Sequence, residues 1–516
     1  MNVSNSLNGI SISFVFLWKG DVLGIPLIIV YILLLLGFSY WLNKKYIPEL
    51  SNLSLPVLFL CKFCFALFFL YVYTYHYGGG ELTADAGMFF RESKLLYEVF
   101  NESPHAFFQF LFGLNNDIDF INQYLQETTH WNGGDRFLPN DSRHVIRVNA
   151  LIHFISTGQV VIHFLILSFF SFLGGFDLFQ WLKKKSTIPP LGLLVMLTLA
   201  PSLAFWGSSI IKEPLMILGT CILIRGVFDE ISIKNRVWRI VLGLILTFAF
   251  KPYVVICLLM ALIYYYLLSP FFKRQWLAML FFAGLGIGTL IVTNYSDKMA
   301  YVIANQQEDF INLRDGGLYL YGDNDHIYYI YYAHRKYFSF ENDSATLKEP
   351  VDAFYMEKNE NFKRYPIKLI DVGKSYPVYL SLAETGSSVD VTLIEDSFGQ
   401  LLLNIPEALF NSFLQPIPNK KSTWLQFSAF FENILYLIMA VFTFFIFPRN
   451  SSKKENRIIA SMSLFALFIA MIVGWTTPVS GAIVRYIVPA HIGILIIFAL
   501  KLDFKKLKVF TCTRKK

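Results

Sequence analysis

The 516-residue chain carries little charge, few cysteines and none of the motifs of nucleotide-dependent enzymes. Charged residues make up 16% of the sequence and hydrophobic residues 55%, more apolar surface than a soluble protein of this length could bury. It contains no P-loop and no GxGxxG, HExxH or GxSxG motif, so ATP-driven catalysis and soluble-type hydrolysis have no support.

Cysteine is scarce and lies mostly in apolar runs. Four of the five cysteines lie in such runs (Cys61, Cys64, Cys221 and Cys257), and Cys512 lies in a basic tail. The long polar segments contain none, so no disulfide holds them together. Cys61 and Cys64 have CxxC spacing without a histidine partner, which favours a buried structural role. The sequence predicts no metal site and no cofactor, and it leaves a requirement for a divalent metal undecided.

What the chain has in abundance is apolar runs near the ~20 residues that cross a bilayer. They predict an all-α polytopic membrane protein with about eleven transmembrane helices, at roughly 22–43, 55–76, 153–175, 189–206, 210–228, 237–250, 253–271, 276–294, 428–447, 458–475 and 484–501. Two long loops, 77–150 and 295–427, are expected to carry small helical or mixed segments.

Basic residues predict the orientation and the division of the chain. Alternate short loops are basic, at Lys44-Lys45, Lys183–Lys185, Lys234–Arg239, Lys273-Arg274, Arg449–Arg457 and the tail to Lys516. Such loops face the cytoplasm, which places the N-terminus and both long loops outside and the C-terminus inside. Most of the net charge of +7 sets this topology, so no nucleic-acid partner is predicted.

The predicted spans and loops divide the chain into four parts. They are an N-terminal bundle at 1–294, an outer domain at 295–427, C-terminal helices at 428–501 and a basic tail at 502–516.

Three cations lie at predicted outer ends of spans: Lys212 in WGSSIIKEP, Lys251 in FAFKPY and Arg485 in SGAIVRYIVP. Ionisable groups near hydrocarbon are costly and usually serve function, pairing or ion passage. Together with the acid Asp85, they predict an outer-surface pocket for an anionic substrate. Alternative roles are ion pairing and snorkelling of the side chains to the outer face.

Other residues near these ends are weaker candidates. Glu213 follows Lys212 at a helix start, where exposed amides attract anions. Arg143 and Arg147 share one helix face and suit phosphate binding, with headgroup anchoring as the alternative. Asp85 is either a helix N-cap and nothing more, or it has a functional role as a general base or as a carboxylate that orients substrate.

Three stretches resemble a known group of proteins. They are ADAGMFF around Asp85, P-S-x-x-F-W-x-S-S-x-x-K-E from Pro201 to Glu213, and P-V-S-G-x-x-x-R-Y-x-x-P from Pro478 to Pro489. The chain resembles bacterial envelope glycosyltransferases of the C-type superfamily and the similar O-antigen and exopolysaccharide polymerases. The resemblance implies a bacterial cytoplasmic (inner) membrane enzyme that takes a polyprenyl-phosphate sugar at the outer face. Asp85 would be the acid, and Lys212, Lys251 and Arg485 would hold the phosphate.

Several alternatives stay open at this point. In the polymerase version, Arg147 and Arg485 would handle undecaprenyl-pyrophosphate-linked repeat units. The competing class is a transporter or flippase of a lipid-linked or anionic solute. Such proteins are expected to carry charges near the bilayer midplane, whereas the charges here cluster at one predicted face. The expected partners are a lipid-linked sugar or glycan and membrane lipids, and a third hypothesis is a subunit of an envelope-assembly complex.

Overall fold

The computed structural model gives the fold of most of the chain. It describes residues 24–132, 140–315, 317–322, 326–341, 343–357, 364–381, 387–394, 397–419 and 422–506. The predicted outer N-terminus and the last ten residues of the predicted basic tail lie outside this part.

Long apolar helices dominate the described residues. Seven are long and apolar enough to cross a membrane: Gly24–Tyr46, Ser54–His76, Val160–Leu182, Pro252–Phe271, Gln275–Val292, Trp424–Ile446 and Lys453–Thr476. A bent pair, Ser480–Tyr486 and Val488–Lys501, forms an eighth candidate with a 50° break. These helices indicate a polytopic α-helical membrane protein. Which membrane it occupies, and which way its termini face, stay predictions.

The eight candidates match eight of the eleven predicted spans, with one shift along the sequence. The third was expected at 153–175, but its helix begins at Val160 and ends at Leu182. Thr157 and Gly158 have φ angles of 50° and 81°, which end the preceding helix, Asp141–Ser156. His153 therefore belongs to that earlier helix.

The other three predicted spans fall on shorter or more basic helices. They are Pro190–Leu199 with Pro201–Trp206, then Glu213–Phe228 of 16 residues, then Ile233–Phe250, whose first turns carry three basic residues. Whether these helices cross the membrane stays a prediction, and so does the total of about eleven.

The first long loop is helical. Its helices are Ala84–Glu102, Pro104–Phe112, Ile118–Leu125, Thr129–Asn132 and Asp141–Ser156. Glu92 is buried between them and accepts hydrogen bonds from the Thr129 amide at 2.8 Å and from His130 Nδ1 at 2.9 Å. These contacts fix Ala84–Glu102 against the rest of the loop.

The second long segment contains helices and a sheet. Helix Tyr295–Asp315 comes first, and helices Phe398–Leu403 and Ile405–Leu414 follow the sheet. The strands are β1 (Leu318–Tyr321), β2 (His326–Ile330), β3 (Phe338–Glu341), β4 (Ser344–Leu347), β5 (Val351–Glu357), β6 (Arg364–Leu369) and β7 (Ser375–Ser381). They pair antiparallel in the order β3-β4-β7-β1-β2-β5-β6.

The two faces of the sheet have different neighbours, because successive strand residues point to opposite sides. One face is a core that includes Leu318, Leu320, Ile330 and Val351. The other face carries Tyr329, whose hydroxyl contacts Asn312 and Asp309 of helix Tyr295–Asp315. This face of the sheet therefore contacts helix Tyr295–Asp315.

Two antiparallel helices bring distant charged residues together. A Cβ on Gly219 would lie 2.8 Å from the amide nitrogen of Thr247, and a Cβ on Gly243 would lie 2.7 Å from that of Leu223. The glycines therefore let Glu213–Phe228 and Ile233–Phe250 approach backbone to backbone, as small residues do in membranes. Because the pair is antiparallel, the start of the first helix meets the end of the second.

Candidate functional site

A buried carboxylate holds two cations at the end of this helix pair. Glu213 Oε1 lies 2.7 Å from Lys251 Nζ and accepts a 2.8 Å hydrogen bond from Arg485 Nε. The Glu213 side chain is 0% exposed, and those of Lys251 and Arg485 are 4% and 13% exposed. Glu213, Lys251 and Arg485 together carry two positive charges and one negative charge. This excess of positive charge favours a further anion beside them.

Asp85 supplies that anion. Arg485 NH1 donates a 2.5 Å hydrogen bond to Asp85 Oδ2, and the Asp85 side chain is 48% exposed. Arg485 therefore bridges one fully buried carboxylate and one that solvent reaches. Partial burial acts to raise the pKa of Asp85, but the attraction and hydrogen bond of Arg485, helped by Lys212, lower that pKa below its ordinary value.

A tight turn places Asp85. Its helix begins at Ala84, which has a φ of 53°, an uncommon conformation for a residue with a side chain. Thr83 occupies the N-cap position and makes no side-chain cap bond. Asp85 lies inside the first turn, where the helix dipole favours a negative charge. The interpretation of Asp85 as an N-cap and nothing more is therefore wrong, since its carboxylate pairs with Arg485.

Lys212 has a different partner from its neighbour Glu213. Its Nζ lies 2.6 Å from Asp141 Oδ1, at the start of helix Asp141–Ser156. The side chains of Lys212 and Asp141 are 16% and 35% exposed. The positive charge of Lys212 also helps to lower the pKa of Asp85. An ion pair was the alternative role for Lys212, and the structure shows one, made with Asp141.

Aromatic rings surround the cations. Lys251 Nζ lies 4.3 Å from the ring centroid of Tyr486, and the Tyr253 hydroxyl donates to the Tyr486 carbonyl at 3.3 Å. Tyr486 also contacts Phe310, of helix Tyr295–Asp315, with ring centroids 5.9 Å apart. The rings restrict water around the cations, which strengthens electrostatic interactions there. The sheet-bearing segment thus reaches the charged site.

We call Asp85, Asp141, Lys212, Glu213, Lys251 and Arg485 the charged cluster. It has three cations and three carboxylates, so its formal charge is balanced. The sequence predicted three cations with one carboxylate close by, and Asp141 was missed as the partner of Lys212. The signal for Asp141 was its place at the start of a helix in the first long loop.

Arg147 contacts residues outside the charged cluster. Its Nε donates to the Phe110 carbonyl at 2.8 Å, and NH1 lies 3.4 Å from His144 Nδ1. Arg143 and Arg147 share a face as expected, with their guanidinium carbons 5.5 and 6.0 Å from the Trp131 ring centroid. Both are buried, and these contacts pack the first long loop. A substrate role for Arg147 stays a prediction.

A buried lysine outside the cluster was also missed. Lys62 is 1% exposed within helix Ser54–Tyr71, and its Nζ donates to the carbonyls of Thr198 and Leu203 at 3.3 and 3.2 Å. Those carbonyls lie on either side of the break at Pro201, between helices Pro190–Leu199 and Pro201–Trp206. The lone lysine in the run FLCKFCF was the available signal. Lys62 stabilises the segment that leads to Lys212.

Two further findings bear on the chemistry of the chain. Among the described residues, no three His, Cys, Asp or Glu side chains are grouped as metal ligands would be. No family model, no curated protein and no solved structure matches the chain.

Proposed function

We propose that the chain is a membrane glycosyltransferase of the bacterial cytoplasmic membrane, acting at the outer face in cell-envelope glycan assembly. Its donor is a sugar linked to polyprenyl phosphate, and its acceptor is a hydroxyl group of a growing glycan. The observation that carries the proposal is the bridge made by Arg485, from buried Glu213 to half-exposed Asp85.

The buried half of the bridge fixes the cations. Glu213 is enclosed and touches both Lys251 and Arg485, so substrate does not reach it and it acts as a positioning residue. It holds both positive charges in one geometry without neutralising them fully. Cations fixed in advance stabilise charge that develops on a departing phosphate, because they need no rearrangement during the reaction.

The exposed half of the bridge can exchange. An incoming phosphate carries the same charge sign as Asp85 and offers Arg485 a second acceptor for the same donor group. Binding of the phosphate displaces Asp85 from Arg485, and the positive charge of Lys212, which also acts on Asp85, adds attraction. The released carboxylate is then available as a general base.

The proposed transfer step forms one bond, breaks one bond and moves one proton. The acceptor hydroxyl oxygen forms a bond to the anomeric carbon of the sugar, and its proton passes to Asp85. The bond between that carbon and the phosphate oxygen breaks, and polyprenyl phosphate leaves with the electron pair. Lys212, Lys251 and Arg485 stabilise the negative charge on the leaving group.

Mass spectrometry of lipid-linked glycans tests the assignment in cells that lack the protein. We expect an intermediate one sugar short to accumulate, and to disappear on complementation with wild type but not with Asp85→Asn. Glu98→Gln is the matched control, because Glu98 lies on the same helix and its side chain is also 48% exposed.

Three other results would change the assignment. Full rescue by Asp85→Asn would refute the role of that carboxylate. Accumulation of single complete repeat units would instead indicate a polymerase of undecaprenyl-pyrophosphate-linked units. An unchanged lipid-linked pool would favour a transporter or a subunit of an envelope complex.

A further inference from the structure

The sheet carries a cleft whose lining includes no residue of the charged cluster. The cleft has a volume of about 310 Å³ and lies on strands β5 and β6, beside the short helical turn Tyr332–Tyr337. Its lining includes Tyr331, His334, Asp352, Phe354, Pro366 and Lys368. This volume is at the lower end of the range for small-molecule sites.

Strand register explains why these side chains meet. In the β5–β6 pair, Asp352 lies opposite Lys368 and Phe354 lies opposite Pro366. Residues directly opposite in an antiparallel pair share a face, and residues two apart on one strand do too. All four side chains therefore project from the same side, with Asp352, Pro366 and Lys368 exposed and Phe354 half-buried.

Aromatic rings and a histidine form one wall. The rings of Tyr331 and Phe354 are 5.3 Å apart at 80°, and those of Tyr331 and His334 are 6.0 Å apart. His334 Nδ1 lies 2.8 Å from the Asp352 carbonyl oxygen. Because a carbonyl only accepts, Nδ1 must carry a proton, and Nε2 is the remaining nitrogen of the ring.

The charges of the cleft select the class of ligand. Asp352 and Lys368 carry opposite charges on directly opposed residues, so the cleft has no excess of either sign to attract a strongly charged ligand. A carboxylate accepts hydrogen bonds from hydroxyl groups and an ammonium donates to them. Aromatic faces pack against C–H groups. Apolar faces bordered by hydroxyl groups are the chemistry of a sugar ring.

We propose that this cleft binds a neutral saccharide unit, as a second glycan site apart from the charged cluster. Tyr331 and Phe354 pack on the ring, and Asp352 and Lys368 bind its hydroxyl groups. Binding of a saccharide in this cleft is independent of the transfer reaction proposed at the charged cluster. If the proposed transfer is correct, the site holds a glycan on the segment that contacts Tyr486 of the charged site through Phe310.

The test uses the full chain, immobilised in lipid nanodiscs. The probe is the mixture of lipid-free oligosaccharides released by mild acid from membranes of the producing cells, and mass spectrometry identifies what is retained. We expect wild type to retain neutral oligosaccharides and Tyr331→Ala and Phe354→Ala to retain at least tenfold less. Tyr321→Ala is the matched control, since Tyr321 is an exposed tyrosine of β1 that packs on Tyr379.

Additional variants separate binding from folding and from catalysis. Asp352→Asn and Lys368→Met change exposed side chains and should weaken retention without changing the thermal unfolding of the protein. Asp85→Asn should retain as much saccharide as wild type, so failure of the transfer proposal leaves this result intact. Equal retention by wild type and Tyr331→Ala, no retention by wild type, or retention of charged oligosaccharides alone would overturn the inference.

Discussion

Replacing Asp85 with asparagine should tighten phosphate binding while it abolishes transfer. In the structure Asp85 occupies the exposed side of Arg485, with 2.5 Å between NH1 and Oδ2. A phosphate must break this contact before it can take the same donor. Asparagine keeps the shape of the side chain but removes its charge, so Arg485 is released at lower cost and the phosphate meets no neighbouring carboxylate.

The size of the effect follows from the exposure of the pair. Exposed ion pairs contribute about 0.2–1 kcal/mol. The Asp85 side chain is 48% exposed and that of Arg485 only 13%, so we take the upper end, about 1 kcal/mol. This corresponds to a roughly fivefold lower Kd for phosphate.

Phosphorus NMR titration of the protein in nanodiscs with inorganic phosphate measures this Kd. Arg485→Ala should lose phosphate binding, and Glu98→Gln should leave the Kd at the wild-type value. An unchanged or higher Kd in Asp85→Asn would refute the exchange between carboxylate and phosphate, even if the variant is inactive.

Three further predictions concern stability, each measured by thermal unfolding. Glu213→Gln should destabilise the protein by about 3 kcal/mol because it leaves two buried cations under-compensated; a change no larger than that in exposed Glu230→Gln would contradict this. Gly243→Val should cost about 1–3 kcal/mol by separating the two helices, whereas Gly37→Val, where a Cβ meets no atom within 4 Å, should be nearly neutral. Because the pKa of Asp85 is lower in the folded state, its ion pair stabilises fully above the ordinary value of 3.8 and is lost as the pH falls through the lowered pKa. The difference in stability between wild type and Asp85→Asn should therefore persist at neutral pH and vanish in acid, and a difference independent of pH would argue against the pair.

The sequence predicted the apolar helices well because lipid imposes a length and a composition on each span. It placed the third one too early, because the prediction took the apolar residues on both sides of Ser156-Thr157-Gly158-Gln159 as one run, although this polar stretch with a glycine ends the earlier helix. It also did not predict the seven-stranded sheet, whose pairings join strands far apart along the chain. Periodicity reports local structure and carries little information about such pairings.

By itself the sequence determined that this is a helical membrane protein, and it singled out Asp85, Lys212, Glu213, Lys251 and Arg485 as costly charges near span ends. Only the tertiary structure decided how they pair. Glu213 contacts Lys251 and not its neighbour Lys212, because two antiparallel helices bring their ends together and close glycine contacts hold them there. Its second partner, Arg485, comes from a third helix, Ser480–Tyr486. Asp85 and Arg485 are 400 residues apart in the sequence, and the fold brings them into contact. Ion pairing depends on distance in space and not on separation along the chain, so the sequence could not show this pair.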